Sequence, residues 1–138
     1  MKVLFDLNVV LDVVLNRQPW LADSRQVWDA QLAGSIDGYL TATEITNLFY
    51  IVRRLAGEST ARAAVGVCLA TFSLVPVDLQ ILQAADQHPG SDFEDNVCIA
   101  CAEEVGADWV VTRDSSGFTQ SSVPAISPTE LLKQIPPP

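Results

Sequence analysis

The sequence predicts an α/β fold: a single three-layer α/β/α domain with a central parallel sheet of four to five strands. Short apolar runs alternate with stretches of helical spacing along the chain, and this alternation is typical of a parallel sheet covered on both faces. The length of 138 residues suits one domain. We find no repeat or linker, so the predicted domain spans residues 1–138, with a proline-rich tail at about 134–138.

Four apolar runs predict the strands of this sheet. They lie at residues 2–5, 38–40, 72–77 and 109–112. The first run ends directly at Asp6, so an acidic residue is expected where the first strand stops.

The segments between these runs carry apolar residues at helical spacing. The predicted helices cover residues 9–15, 20–33, 42–55, 59–71, 78–85, 93–105 and a last short helix from 127. Ser59, Asp78 and Ser127 are the expected caps. In the second helix, Trp20, Trp28 and Leu32 are expected to pack inward.

Composition restricts the possible functions. The chain has 17 acidic residues against 8 Lys plus Arg, a net charge of −9 and a pI near 4.3. Broad electrostatic binding to nucleic acid is therefore disfavoured, and any such binding would need a local basic rim or metal ions. Three cysteines do not suggest a disulfide framework, so a cytoplasmic location is expected. No apolar run is long enough to predict a membrane helix.

Acidic residues follow three of the predicted strands or begin the helices beside them. Asp6, Glu44 and Asp114 are placed in this way, and Asp92 and Asp95 begin the helix before the last predicted strand. Ligand sites in open parallel sheets form at the carboxyl ends of the strands. Clustered carboxylates repel one another unless a hard cation such as Mg²⁺ or Mn²⁺ binds them. Two such ions can activate water for phosphodiester cleavage.

These residues belong to four motifs in a fixed order. The motifs are Phe5-Asp6-Leu7-Asn8, Thr43-Glu44, Asp92-Phe93-Glu94-Asp95 and Val111-Thr112-Arg113-Asp114. The series resembles the PIN-domain family, in particular the VapC-like toxin subgroup, over roughly residues 1–132. The resemblance implies that Asp6, Glu44, Asp95 and Asp114 are the catalytic and metal-binding acids, supported by Asn8 and Thr112. The chain departs from the family pattern at Leu7, where Thr is usual, and at Asp114, which is often Asn in this subgroup.

The resemblance also implies a function. A PIN-like chain would be a metal-dependent endoribonuclease that uses Mg²⁺ or Mn²⁺ on single-stranded or looped RNA and leaves a 3′-hydroxyl and a 5′-phosphate. It would be the toxin of a type II toxin–antitoxin pair, forming a homodimer or a complex with a small antitoxin. Two alternatives stay open: a non-catalytic RNA-binding or assembly module, and a Mg²⁺-dependent phosphotransfer or phosphatase domain. The second alternative is weakened because Asp6-Leu7-Asn8 lacks the second Asp of the phosphatase motif.

Several residues also have a purely structural interpretation. Thr41 with Glu44, and Ser91 with Glu94, have capping-box spacing, and Asp92 is either a helix cap or an auxiliary metal ligand. Asp12 is expected on a solvated helix face, His88 in an exposed loop, and Cys98 and Cys101 in the core. Arg113 is the best candidate for contacting a substrate phosphate. Further residues could form a basic rim: Arg17, Arg53 and Arg54.

Overall fold

A computed structural model describes residues 1–137; the last residue of the predicted tail, Pro138, lies outside the described residues. The strands are β1 (Lys2–Phe5), β2 (Asp37–Thr41), β3 (Ser73–Val75), β4 (Trp109–Val111) and β5 (Ala125–Ile126). The α-helices are α1 (Leu7–Val14), α2 (Leu21–Leu32), α3 (Ala42–Ala56), α4 (Glu58–Thr71), α5 (Leu79–Gln87), α6 (Phe93–Val105) and α7 (Pro128–Leu132). A 3₁₀ turn covers Ser115–Phe118.

The five strands form one parallel sheet in the order β3-β2-β1-β4-β5. This confirms the predicted fold class. Strand β1 is central, and its Leu4 is in register with Tyr39 on one side and Val110 on the other. Four of the strands correspond to the predicted apolar runs, whereas β5 is an additional two-residue edge strand.

Side-chain alternation along β1 divides the core into two layers. Val3 and Phe5 belong to a core cluster built with α1–α4 and with Leu131 of α7. Leu4 points to the opposite face and belongs to a second cluster built with α5 and α6. Because both faces of the sheet are covered, the strand ends are the part of the sheet left open to a ligand.

The helix ends confirm some predicted caps and correct others. The Asp78 side chain accepts from the Ile81 N–H at 3.0 Å, and Ser127 caps α7 in the same way. The prediction for Ser59 is wrong, because α4 begins at Glu58 with Gly57 as its cap. Gly57 also ends α3 and has φ of +91°, a conformation that favours glycine.

Helix α2 and the residue before it bury fewer large apolar side chains than the sequence predicts. Trp28 is buried and packs edge-on against Phe72. Trp20 and Leu32 were predicted to pack inward, and this is wrong: they are 43% and 64% exposed. Trp20 precedes the first residue of α2, so the helical periodicity does not direct its side chain to the core. No helix within residues 1–137 is long and apolar enough to cross a membrane.

Candidate functional site

The acidic residues lie together at the carboxyl edge of the sheet. Asp6 follows β1 and precedes α1, Glu44 lies in the first turn of α3 after β2, and Asp114 follows β4. Asp92 and Asp95 come from the beginning of α6. All five line one cleft of about 250 Å³, together with Asn8 and Glu94. The strand-end argument therefore places these side chains correctly, while their role as metal ligands stays a prediction.

Glu44 is the most deeply buried acid of the cleft. Its side chain is only 3% exposed, and Oε2 has no hydrogen-bond partner among the described residues. Burial, followed by the charges of Glu94, Asp6 and Asp95, raises the pKa of Glu44 to about 7. The capping box with Thr41 does not form, because the Thr41 side chain makes no capping hydrogen bond. Helix capping therefore does not account for a carboxyl group at this position.

The two acids of α6 have different environments. Asp92 caps the helix, and its Oδ1 accepts from the Asp95 N–H at 3.2 Å. The capping box with Ser91 therefore does not form, whereas the prediction that Asp92 is a helix cap is confirmed. Burial and the neighbouring carboxylates, Asp92 first, raise the pKa of Asp95 to about 6.

Gly117, in the 3₁₀ turn, makes room for the Asp95 side chain. A Cβ atom at residue 117 would overlap Oδ2 of Asp95 and lie 2.8 Å from its Cγ. A larger residue here would require the Asp95 side chain to move from its present position, a constraint that the sequence motifs did not indicate.

Thr112 connects the acids at the ends of β1 and β4. Its hydroxyl donates to Oδ2 of Asp6 at 2.7 Å and accepts from the Asp114 N–H at 3.1 Å. Burial raises the pKa of Asp6, and the Thr112 hydrogen bond opposes this shift. Asp114 is exposed, and hydrogen bonding from Ser116 lowers the pKa of its carboxyl. The hydroxyl of Thr112 thus links the residues that follow β1 and β4, while its supporting role in catalysis stays a prediction.

Asn8 lies at the entrance of the cleft, in the first turn of α1. Its Oδ1 is 3.5 Å from Nη1 of Arg17, which donates to it. Arg53 and Arg54 are exposed in the last turn of α3, away from the first turn that carries Glu44. Their role in a basic rim stays a prediction.

The donor set fits a hard divalent cation. The cleft offers carboxylate oxygens, the ligands that Mg²⁺ and Mn²⁺ prefer, and Oε2 of Glu44 is a buried acceptor without a partner. As the side chains stand, no three His, Cys, Asp or Glu residues within 1–137 already form a metal-ligating group. The fit rests on the chemistry of the acids and on the unsatisfied oxygen of Glu44.

The structure corrects the prediction for Asp12. This residue was expected on a solvated helix face, but its side chain is fully buried and forms an ion pair with Arg113. The physical reason is tertiary: α1 packs against α2, and the side chain of Arg113, in the turn after β4, reaches Asp12 from a distant part of the chain. Arg113 does not line the acidic cleft, and its guanidinium is engaged by Asp12 and stacked on Trp20.

The remaining candidates have structural roles. Cys98 and Cys101 are buried, unpaired thiols in α6, as predicted for core residues. Burial raises the pKa of Cys101 to about 12. His88 is half-buried rather than exposed, with Nε2 3.8 Å from Oε1 of Glu103.

Comparison with known proteins defines the class. Residues 2–116 match the family model described as PIN domain, and the chain therefore belongs to the PIN-domain family. No curated protein matches the sequence significantly.

Solved structures share the fold at low sequence identity. One is VapBC from Salmonella typhimurium bound to DNA, with TM-score 0.71 and 14% identity, covering 93% of this chain and 98% of that chain. Another is VapC20 from Mycobacterium tuberculosis, described as a sarcin–ricin loop cleaving toxin, with TM-score 0.70 and 12% identity over 84% and 92% of the two chains. A third is a toxin–antitoxin complex from Klebsiella pneumoniae, with TM-score 0.67 and 17% identity over 91% and 97%.

Proposed function

We propose that this PIN-domain protein is a metal-dependent endoribonuclease that cleaves single-stranded or looped RNA, and that it is the toxin of a toxin–antitoxin pair. The observation that carries the proposal is the environment of Glu44. Its carboxyl group is buried at the carboxyl edge of a PIN fold, beside other carboxylates, with one oxygen unsatisfied.

Without a bound cation, this arrangement destabilises the ionised form of the acids in the cleft. The pKa of Glu44 is raised to about 7 and that of Asp95 to about 6, chiefly by burial and then by like charges. A bound cation reverses this effect, since it stabilises the ionised form of each acid. The residues that would hold Mg²⁺ or Mn²⁺ are Asp6, Glu44, Asp95 and Asp114, with Asp92 as an auxiliary ligand. When bound, the ion would polarise the phosphodiester and activate a water molecule.

The chain's own residues prepare the cleft for this chemistry. Thr112 holds Asp6 and the backbone of Asp114 in a fixed relation. Gly117 leaves space for Asp95 to enter the cleft. A cleft of about 250 Å³ lined by acids suits an unpaired RNA backbone better than a rigid duplex.

The structural neighbours and the surface support the toxin role. The neighbours include a toxin that cleaves the sarcin–ricin loop and a toxin–antitoxin complex. Exposed large apolar side chains on α3 and α4 support association with a second copy or an antitoxin. These side chains are Tyr50, Leu55, Val67 and Leu69.

The two alternatives have less support. A non-catalytic PIN module would have no need for Glu44, buried and unsatisfied among the other acids. A phosphotransfer domain is disfavoured by the family membership. The three buried, unpaired thiols fit the proposed cytoplasmic location.

Cleavage of end-labelled single-stranded RNA with Mg²⁺ or Mn²⁺, and with excess chelator, tests the proposal. We expect metal-dependent products with 5′-phosphate ends, loss of cleavage on chelation, and loss in Asp6→Asn. Asp86→Asn, at an exposed position on α5, is the matched control. Undiminished cleavage by chelated protein would contradict the metal mechanism. RNA binding without cleavage in every metal tested would favour the non-catalytic module.

A further inference from the structure

We propose that Asp12 is a positioning residue: its buried carboxylate holds Arg113 and thereby fixes the turn after β4 that presents Thr112 and Asp114 to the acidic cleft. The inference rests on the proposed function for its catalytic consequence. Its structural part, the order of the turn, stands independently of any activity.

Asp12 and Arg113 are joined by one hydrogen bond and one close ionic contact. Nη2 of Arg113 donates to Oδ1 of Asp12 at 3.2 Å. Nε lies 2.7 Å from Oδ2, but these two buried atoms do not form a hydrogen bond with each other or with another described residue. Arg17 adds a second cation, with Nη1 3.9 Å from Oδ1. Asp12 is fully buried, whereas Arg113 is half-buried, so solvent screens the contact only in part.

Trp20 restrains the same guanidinium from another side. The central carbon of the Arg113 guanidinium lies 3.8 Å from the centroid of the Trp20 ring, in cation–π contact. This contact gives a reason for the exposed position of Trp20. Asp12 and Trp20 together leave the Arg113 side chain few alternative orientations.

Residue 113 lies between the two residues that organise the cleft. Thr112 donates to Asp6, and Asp114 accepts at its side chain from the Ser116 N–H. The chain bends at Arg113 itself, directly between these two residues. Because Asp12 and Trp20 hold the Arg113 side chain, they restrain this bend and with it the positions of Thr112 and Asp114.

The energetics favour a positioning role over a merely stabilising one. Burying an ion pair contributes little net stability, and apolar side chains of similar size often replace such a pair without loss. What the pair provides, and apolar groups do not, is a defined direction for the guanidinium. The competing interpretation is that Arg113 contacts a substrate phosphate, and the two make different kinetic predictions.

The experiment compares four variants of the full chain: Asp12→Asn, Arg113→Lys, the double replacement Asp12→Leu with Arg113→Met, and Asp86→Asn as control. The first measurement is amide hydrogen exchange at Asp114 and Ser116 in metal-free protein. The second is the Mn²⁺-induced rise in Tm. The third is kcat and KM for RNA cleavage.

If Asp12 positions the turn through Arg113, kcat should fall about 10- to 100-fold in Asp12→Asn and in Arg113→Lys. The KM should change by no more than about twofold. Positioning also predicts faster exchange at both amides and a smaller Mn²⁺-induced rise in Tm. The apolar double variant should regain the parent's metal-free Tm but not its kcat. The double variant therefore distinguishes a loss of positioning from a loss of stability, even if one of the single variants folds poorly.

Three results would overturn the inference. One is parental exchange at Asp114 and Ser116 in Asp12→Asn. Another is parental kcat in the apolar double variant, and the third is a change in KM alone, which would indicate a substrate contact by Arg113. If the parent cleaves no RNA with any metal, the proposed function fails, while the exchange measurement still decides whether Asp12 orders the turn.

Discussion

Replacing Glu44 with Gln tests the electrostatic account of the cleft directly. The amide has nearly the shape of the carboxyl group but cannot ionise. In metal-free protein at neutral pH we expect Glu44→Gln to be more stable than the parent, because the buried charge and its repulsion with neighbouring acids are removed. With Mn²⁺ the order should reverse, because the parent gains binding energy that the variant lacks.

The magnitude follows from the pKa of Glu44. A rise from its ordinary value of 4.5 to about 7 corresponds to about 3 kcal/mol of destabilisation when the group is ionised in both states. Below about pH 4.5 the group is protonated in folded and unfolded chains, and the penalty vanishes. Between that value and about pH 7 the folded state binds more protons, so stability falls as pH rises. The full penalty is present above about pH 7.

Urea unfolding from pH 4.5 to 8 in excess chelator measures this difference. The advantage of Glu44→Gln should grow from near zero to about 3 kcal/mol, equivalent to about 10 °C in Tm for a chain of this size. Glu104→Gln, at an exposed position on α6, is the matched control and should show no such growth. A pH-independent difference, or a less stable variant at pH 8, would refute the reasoning.

Three further predictions concern neighbours of Glu44. The variant Asp95→Asn should lose most RNA cleavage and most Mn²⁺-induced stabilisation but keep the metal-free stability of the parent. The variant Asp92→Asn keeps a capping side chain, so it should lose only about 0.3–1 kcal/mol of stability and retain most cleavage. The opposite pattern would move the ligand role to Asp92. Gly117→Ala should displace the Asp95 side chain and reduce Mn²⁺-induced stabilisation with little change in metal-free Tm, and unchanged Mn²⁺ binding would contradict this. Thr112→Val should raise the pKa of Asp6 further, because it removes a hydrogen bond to the carboxylate. NMR titration measures this pKa, and an unchanged pKa of Asp6 in the variant would contradict the prediction.

The sequence predicted the features that depend on residues close together in the chain. Apolar runs marked four strands because β1, β2 and β4 are mostly buried by the helices. Strand β3, at the edge of the sheet, still carries the apolar residues Leu74 and Val75. The acids could be placed because Asp6, Glu44 and Asp114 lie within three residues of a strand end, and parallel strands bring such ends to one edge. Strand β5 has two residues, too few to show a pattern.

The sequence could not predict features that depend on distant partners. Asp12 pairs with a residue 101 positions away, so nothing in its helix indicates what neutralises it. One local signal was available: Asp12 is flanked by valine and leucine on α1, where six of eight residues are buried. The predicted burial of Trp20 failed for a similar reason, because its ring contacts the distant residue Arg113 rather than the core.

The position of the acids at helix beginnings offsets part of the charge of the metal-free cleft. Asp6 precedes α1, Glu44 and Asp95 lie in the first turns of α3 and α6, and Asp92 caps α6. The positive ends of three helix dipoles therefore face the acidic cleft, and each stabilises a nearby carboxylate by about 0.3–1 kcal/mol. This is smaller than the penalty of about 3 kcal/mol at Glu44, so the dipoles alone do not offset burial. A divalent cation would supply the remainder, which is why metal binding and stability should be coupled at this site.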